Sequence, residues 1–336
     1  MIKLDKKGIA IDSFVFVLLA AFSIMIASRD LSIGTDTALY NYTYYYNYLD
    51  EGIEVVFRYL LIVGNYFGLE FGGVLFACSF LLNIGLYLVT RKCTGYSYKL
   101  FVILPLFLLN PFFWSLSVNV IRQALSIGFL LIALGSNKSF NRYILIILAI
   151  GSHSSALVYV FVYIASLISF RTSLNEKHLA WIYFMSSLLL YIGVYDGLLS
   201  LFSQFVENSK YYAYGSVSES RYSAGFKASF IIFNTIPFMI KYVESKYINI
   251  NTNTNTLVES IFRVTMLCSI LHSVIMVLPF SDRFMVAFWL LYPLLLINLL
   301  KKGMSFMSPI LFYLGFLSCL GYLNYLNYLN YLNYLE

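Results

Sequence analysis

The sequence predicts an all-α integral membrane protein, a polytopic bundle of about 11 transmembrane segments, some of them short or broken. Three observations carry this. Apolar residues make up 60% of the 336 residues and charged residues only 11%, far from the composition of soluble domains. Mean hydropathy is +0.78. Apolar stretches of roughly the 20 residues that a helix needs to cross a bilayer recur along the whole chain. Lys and Arg outnumber Asp and Glu by 22 to 16, but in such a chain the position of each charge says more than the sum. The excess does not argue for nucleic acid.

The segments run approximately over 8–28, 70–90, 98–115, 119–136, 142–152, 154–170, 178–196, 226–244, 258–279, 284–300 and 304–323. The first, Gly8 to Ser28, has no small-x-small cleavage site at a plausible position and reads as a signal anchor. The fifth is too short to cross alone and reads as half of a broken element with the sixth. Asn110-Pro111 breaks the third, and Asn119 is placed to N-cap the fourth. Cys78, Cys93, Cys268 and Cys319 have neither paired nor metal-like spacing and read as small buried apolar residues.

Short cytoplasmic loops collect Lys and Arg, so an inside N-terminus puts 14 basic residues in the cytoplasm, 11 of them Lys. The remaining eight are Arg29, Arg58, Arg122, Lys210, Arg221, Lys227, Arg263 and Arg283, six of them Arg. Lys suffices as a topology charge, whereas the planar donor fork of Arg suits phosphate. An outward arginine-rich pocket for an anionic ligand is one reading. The other is that these arginines pair with Asp30, Asp36, Glu51, Glu54, Glu207, Glu219 or Asp282 and tie loops together. Arg263 fits that second reading, with Glu259 one helical turn before it.

Residues 1–324 form one polytopic domain with outer loops at about 29–69 and 197–225, and 325–336 form a low-complexity tail. In the first loop, Tyr40, Tyr42, Tyr44, Tyr45, Tyr46 and Tyr48 suit a membrane interface. Glu51 to Phe67 has helical apolar spacing and reads as an interfacial helix with Arg58 on or just off its polar face. The second loop, "QFVENSKYYAYGSVSESRYSAG", is suited to move or to bind sugar, and equally to be a solvated connector. "NINTNTNTLVES" is a polar inner connector, and the three-residue repeat of "YLNYLNYLNYLNYLE" gives neither a helical stripe nor strand alternation, so deleting 325–336 is expected to leave activity intact.

Within "NPFFWSLSVNVIRQALSIGFLLIAL", Arg122 falls in the first turn of a helix that starts at the outer surface. There the helix's partial positive end and free amides add to its charge, which makes a phosphate site at headgroup level, although a snorkelling structural arginine has the same geometry. Gln123 and Ser126 supply further polar groups. "GSHSSAL" puts His153 at the junction of the fifth and sixth segments, where it is suited to be a general base near neutral pH or a structural hydrogen bonder. His178 falls in a cytoplasmic loop, and His272, inside the ninth segment, is the weaker second candidate.

Taken together, "RDLSIGTDTALY" after the first segment, "NVIRQALS" opening a middle helix, "HSSAL" after a short helix and "SDRF" before a late one resemble the EpsG-like group of Wzy-type polysaccharide polymerases, over roughly residues 5–300. The resemblance implies a GT-C-like inner-membrane glycosyltransferase. Such an enzyme joins oligosaccharide repeat units on undecaprenyl pyrophosphate at the periplasmic face, building O-antigen, capsule or exopolysaccharide. It implies no cofactor and no metal, contact with membrane lipid, and a chain-length-regulating co-polymerase as partner. Arg29, Gly34, Asp36, Thr37 and Tyr40 match the first motif, Arg122 and Gln123 the second, His153 and Ser155 the third, and Arg283 the fourth, where the aromatic expected after the arginine is represented by Phe284 or Phe288.

On this resemblance, Arg122, Arg29 and Arg283 clamp the pyrophosphate leaving group, since neutralising its charge makes it leave readily. His153 and Asp36 are the candidates for removing the proton of the attacking hydroxyl, with Asp36 equally suited to bind sugar hydroxyls or to brace an arginine. Gln123, Thr37, Tyr40, Ser155, Arg58 and Arg221 are assigned to substrate binding. Ile33-Gly34-Thr35-Asp36-Thr37 is compatible with a tight turn that presents Asp36 and both threonine hydroxyls. An O-antigen ligase and a lipid-linked oligosaccharide flippase are the rival functions. The flippase calls for charges deep along a central path and for internal repeats, which the sequence lacks. An outward His153 disfavours a membrane acyltransferase.

Overall fold

The structure is a computed structural model that describes residues 6–34, 36–46, 52–136, 138–169, 175–195, 197, 226–247, 256–278, 281–301 and parts of 310–318. Every element among them is a helix, and they fall into two compact units, Met1–Phe161 and Val162–Glu336. The second outer loop with Lys210 and Arg221, the Asn-Thr connector before Thr256, Thr35, Cys319 and the Tyr-Leu-Asn tail lie outside the described residues.

The first unit contains α1 (Lys6–Ala27), α2 (Thr37–Tyr45), α3 (Val55–Tyr66), α4 (Phe71–Thr94), α5 (Tyr98–Leu108), α6 (Pro111–Val118), α7 (Ile121–Gly135), α8 (Ser139–Ser152) and the start of α9 (Ser155–Ser169). Its centre is α4 packed on α7, with α1 against the other side of α4 and α8 against α7. Glycines permit that approach. A Cβ on Gly128 would stand 2.9 Å from the backbone of Leu81 and Leu82, and one on Gly85 would stand 2.7 Å from Leu131 Cβ. Close backbone contact of this kind is how helices associate in lipid, where burying apolar side chains gives little advantage. Polar side chains add to it: Asn83 Nδ2 on α4 donates to Ser23 Oγ on α1 at 2.8 Å, with both residues buried.

The two ends of this unit differ in chemistry. At one, Lys92 Nζ donates to the carbonyls of Leu134 (2.7 Å) and Ser136 (3.1 Å), and Arg142 Nη2 donates to Ser136 as well (3.1 Å). These cations satisfy carbonyls that the end of α7 leaves unpaired and meet the negative end of its dipole. Arg91 pairs with Asp12 (2.7 Å), which also accepts from Tyr96 Oη (2.8 Å) and Tyr87 Oη. The basic residues expected to mark the cytoplasmic side thus cap and tie helix ends at one end of the unit. Arg29 and Arg122 lie at the other.

The second unit comprises α10 (Glu176–Tyr191), α11 (Ala228–Tyr247), α12 (Thr256–Ile275), α13 (Asp282–Leu290), α14 (Tyr292–Leu295) and α15 (Ile297–Lys301). Helix α12 packs on α10, α11 and α13, around an aromatic core of Phe233, Phe262, Trp289 and Tyr292. Asn234 links that core by hydrogen bonds of 2.8 Å each, donating toward His272 Nδ1 and accepting from Trp289 Nε1. The carboxylate of Glu259, expected to pair with Arg263, is also engaged by Lys241 (2.7 Å) and Asn298 (3.1 Å). The packing of α11 on α12 delivers Lys241 to it, which spacing along one helix cannot reveal.

Among the described residues, three helices are long and apolar enough to cross a membrane, Gly8–Ala27, Phe71–Thr94 and Thr256–Ile275, and counting two bent pairs as one span each gives five. That is fewer than the eleven segments expected from composition. Helices α7, α8 and α9 have 15, 14 and 15 residues. At 1.5 Å per residue they reach only about 21–23 Å, short of a ~30 Å hydrocarbon layer. The third expected segment is bent by 64° between α5 and α6. At that bend Asn110 caps α6, accepting from Phe112 N–H (2.9 Å), with Pro111 in the first turn.

Candidate functional site

Arg122 is the second residue of α7, and the helix begins as the sequence predicts, with one correction. Asn119 closes α6, its N–H bonded to the Ser115 carbonyl at 2.9 Å, so that Val120 and not Asn119 occupies the N-cap of α7. Two helices share a junction too short for a separate cap, and Asn119 stays in helical conformation at the end of the first. The start of α7 therefore has no side-chain cap bond.

The guanidinium of Arg122 lies over the ring of Tyr40, with Cζ 5.1 Å from the centroid, and its Nη1 pairs with the Glu54 carboxylate. Both charged side chains remain about a quarter exposed, at 24% for Arg122 and 23% for Glu54. Tyr40 comes from α2, is buried, and packs edge-on against Phe57 of α3 at 5.2 Å. Burial raises the Tyr40 phenol to about 12, with Asp36 and Glu54 pushing the same way and Arg122 opposing them. Tyr40 is therefore a neutral aromatic wall for the arginine at physiological pH.

Arg29 is fully engaged inside the protein. It donates to the carbonyls of Ile26 (2.9 Å), Ile33 (3.4 Å) and Val118 (3.1 Å) and to Thr37 Oγ1 (3.1 Å). Thr37 in turn donates to Val118 at 3.2 Å. Gly34, at φ +108°, makes the turn possible, since a Cβ there would be strained and would collide with the Val118 carbonyl and with Thr37 Oγ1. The "RDLSIGTDTALY" segment is thus clamped onto the end of α6. The Thr37 hydroxyl, which the sequence places with Asp36 on one turn, is buried in this clamp. Asp36 follows the turn half-buried at the N-cap of α2, makes no cap bond, and acts electrostatically on Tyr40.

His153 stands between α8 and α9 in extended conformation, as the broken-element reading expects. Its Nδ1 accepts from the Ser155 N–H at 3.1 Å, so a neutral ring carries its proton on Nε2. Ser155 is 5% exposed, and its hydroxyl is buried without a hydrogen-bond partner. The end of α8 touches the start of α3, where a Cβ on Gly151 would come within 2.7 Å of Val56 Cγ2. Ser126 Oγ donates to the Ala149 carbonyl of α8 (2.9 Å), and Gln123 Nε2 donates to Tyr159 Oη of α9. The first turns of α2, α3, α7 and α9 and the last turn of α8 thereby gather around Arg122. The caps of α2, α3 and α7 have no side-chain bond. Each of these helix starts carries partial positive charge, and Tyr40, Glu54 and Arg122 bring them together.

Over residues 13–335 the chain matches the EpsG family. It belongs to the EpsG family. Membership suggests a polysaccharide polymerase role in exopolysaccharide synthesis and is consistent with a glycosyltransferase-like polymerase. The apolar helices make this EpsG-family chain a membrane protein. No curated protein and no solved structure matches it.

Of the other residues assigned from sequence, Arg58 lies on α3 one turn past Glu54, half-buried, and Arg221 is outside the described residues. Arg283 begins α13 in the second unit, where it and Lys227 both act on the Asp282 carboxylate. Sequence reasoning included Glu54 only as one of seven acids able to pair with an arginine. Its place immediately before the apolar run of α3 marks it as a cap position, but nothing local marks Arg122, 68 residues later, as its partner.

Proposed function

We propose that this EpsG-family protein polymerises lipid-linked oligosaccharide repeat units, with the Arg122 cluster binding the pyrophosphate of an undecaprenyl-pyrophosphate-linked donor. One observation carries the reading: a partly exposed arginine over an aromatic wall, at the junction of three helix starts that have no side-chain cap. Charge develops on the leaving diphosphate as the anomeric bond breaks, and fixed donors aimed there lower the barrier. A sugar hydroxyl of the lipid-linked acceptor attacks that carbon, and its proton passes to a base, for which Asp36 is the available carboxylate. His153, with its proton on Nε2, donates to a substrate oxygen.

In this reading Arg29 and Thr37 hold the turn that positions Asp36 and Tyr40. Gln123 and Ser155, both buried, and Arg58 are assigned to substrate binding, Arg221 to sugar binding by the segment 197–225, and Arg283 to pyrophosphate through its match to the fourth motif. The enzyme is a multi-pass inner-membrane protein of GT-C-like architecture with its N-terminus in the cytoplasm. The Arg122 end of the first unit faces the periplasm, and the Lys92 end, rich in basic residues, faces the cytoplasm. A chain-length-regulating co-polymerase is the expected partner. Ligase chemistry uses the same leaving group with a different acceptor.

The test is turnover of an undecaprenyl-pyrophosphate repeat unit by purified protein, read as a gel ladder. Wild type gives a ladder, and Arg122→Ala and Arg122→Lys at matched expression lose it, because Lys cannot reproduce the fork. Unextended substrate with wild-type protein points to the flippase or, once lipid A core is supplied, to the ligase.

A further inference from the structure

We infer that Glu54 sets the affinity threshold of the Arg122 cluster, an internal anion that occupies Arg122 until a diphosphate displaces it and that keeps weakly binding single-phosphate lipids from filling the site. The inference rests on the reading of the Arg122 cluster as the pyrophosphate site.

Glu54 Oε2 takes Nη1 of Arg122 while the Tyr40 ring covers one face of the guanidinium. A ligand that needs both terminal nitrogens must therefore remove the carboxylate. Glu54 also has somewhere to go. It occupies the N-cap position of α3 in extended conformation, φ −62° and ψ 145°, yet its side chain makes no cap bond there. Released from Arg122, the carboxylate is one side-chain rotation from the first-turn amides of α3, which have no partner within the helix, and from its positive dipole end, a favourable place for an acid. The residue thus has two electrostatic partners and uses only one of them in the unliganded protein.

The need for such a device follows from where the site lies. An arginine at headgroup level meets bulk phospholipids, each with a singly charged phosphodiester, in vast excess over any lipid-linked sugar. Displacing Glu54 subtracts the same free energy from every anion that binds. A monoanion with little affinity to spare then falls below its working concentration. A diphosphate, with two charges and more acceptor oxygens for the helix amides, stays bound. The penalty is modest, since both partners are partly exposed and a pair of this kind contributes on the order of 1 kcal/mol, about fivefold in affinity.

The experiment compares wild type, Glu54→Gln, Glu54→Asp and Arg122→Ala. Binding of inorganic pyrophosphate is measured in detergent, and polymerisation is followed in vesicles of increasing phosphatidylglycerol content. Glu54→Gln is expected to bind pyrophosphate roughly fivefold more tightly and to lose activity progressively as phosphatidylglycerol rises, while wild type responds little. Glu54→Asp, which keeps the charge on a shorter arm, falls between them and carries the test if the Gln variant does not fold. Pyrophosphate affinity unchanged or weakened in Glu54→Gln, with binding still dependent on Arg122, overturns the inference and leaves the site reading standing. Equal pyrophosphate binding by wild type and Arg122→Ala overturns both.

Discussion

The guanidinium of Arg29 and the carbonyl of Val118, 89 residues apart in sequence, are joined by a 3.1 Å hydrogen bond that fixes the first outer turn to the end of α6. The two arginines at this end of the unit therefore do different work. Arg29 spends its donors on Ile26, Ile33, Thr37 and Val118, whereas Arg122 pairs with one carboxylate and stays partly open to solvent.

This division predicts that stability and activity separate. Arg29→Ala removes one of the two donors to the half-buried Val118 carbonyl and frees the turn, and hydrogen bonds from a charged donor contribute about 1.5–3 kcal/mol each, so a loss of roughly 2–4 kcal/mol is expected together with loss of activity. Arg122→Ala is expected to cost no more than about 1 kcal/mol, because its pair with Glu54 is partly exposed, yet to abolish the ladder. Thermal unfolding in detergent beside the polymerisation assay checks both. An Arg29→Ala protein that melts like wild type would rule out the clamp.

Glycines on α4 and α7 divide into two classes. Gly128→Ala drives a Cβ to 2.9 Å from the Leu81 and Leu82 backbone, and Gly85→Ala drives one to 2.7 Å from Leu131 Cβ. Backbone cannot step aside as a flexible side chain can, so each is expected to cost about 1–3 kcal/mol. At Gly72, also on α4, the nearest atom would be the Ala27 carbonyl oxygen at 3.6 Å, an ordinary contact. Gly72→Ala should be neutral or stabilising by up to about 1 kcal/mol through helix propensity. Melting temperatures of the three variants decide it, and equal destabilisation by Gly72→Ala and Gly128→Ala would refute the seam.

Features encoded by a few neighbouring residues were legible in the sequence. Asn110-Pro111 announces a break, the apolar spacing of α3 announces an amphipathic helix, and the polar "GSHSS" between apolar runs announces the end of α8. Arg122 at a helix start could be read from "NVIRQ" because capping and charge act within one turn. What could not be read depends on helices meeting. Glu54 and Arg122, or Asn234, His272 and Trp289, share no local pattern, and Gly85 and Gly128 look like any glycines until α4 and α7 touch. The described residues show fewer full-length spans than expected for a related reason: hydropathy measures how apolar a stretch is and says little about where a helix of 14 or 15 residues stops.

In the second unit Asn234 satisfies two buried partners at once, accepting from Trp289 Nε1 and donating toward His272 Nδ1, and all three side chains are inaccessible. Asn234→Leu removes both of these hydrogen bonds and is expected to destabilise by about 2–4 kcal/mol. Trp289→Phe removes one of the two partners, so Asn234→Leu with Trp289→Phe should cost less than the sum of the single changes. A double-mutant cycle on thermal unfolding measures this, and strict additivity would mean that the Asn234–Trp289 bond contributes nothing.

His153 offers the sharpest chemical distinction. A base must present a lone pair, and the Nδ1 lone pair of this ring is occupied by the Ser155 N–H at 3.1 Å, a contact that also fixes the ring at the α8–α9 junction. The remaining nitrogen of a neutral ring carries hydrogen, which is why the proposed mechanism uses the residue as a donor. Gln, whose amide NH2 can stand near the position of Nε2, should then retain part of the function, while Ala and Glu should not. We expect His153→Gln to keep at least about tenfold more polymerising activity than His153→Ala, equivalent to roughly 1.4 kcal/mol in the barrier, with similar melting temperatures. His153→Glu, which supplies a base but no donor, should be as poor as Ala. Rescue by Glu and not by Gln would return the base role to His153 and take it from Asp36.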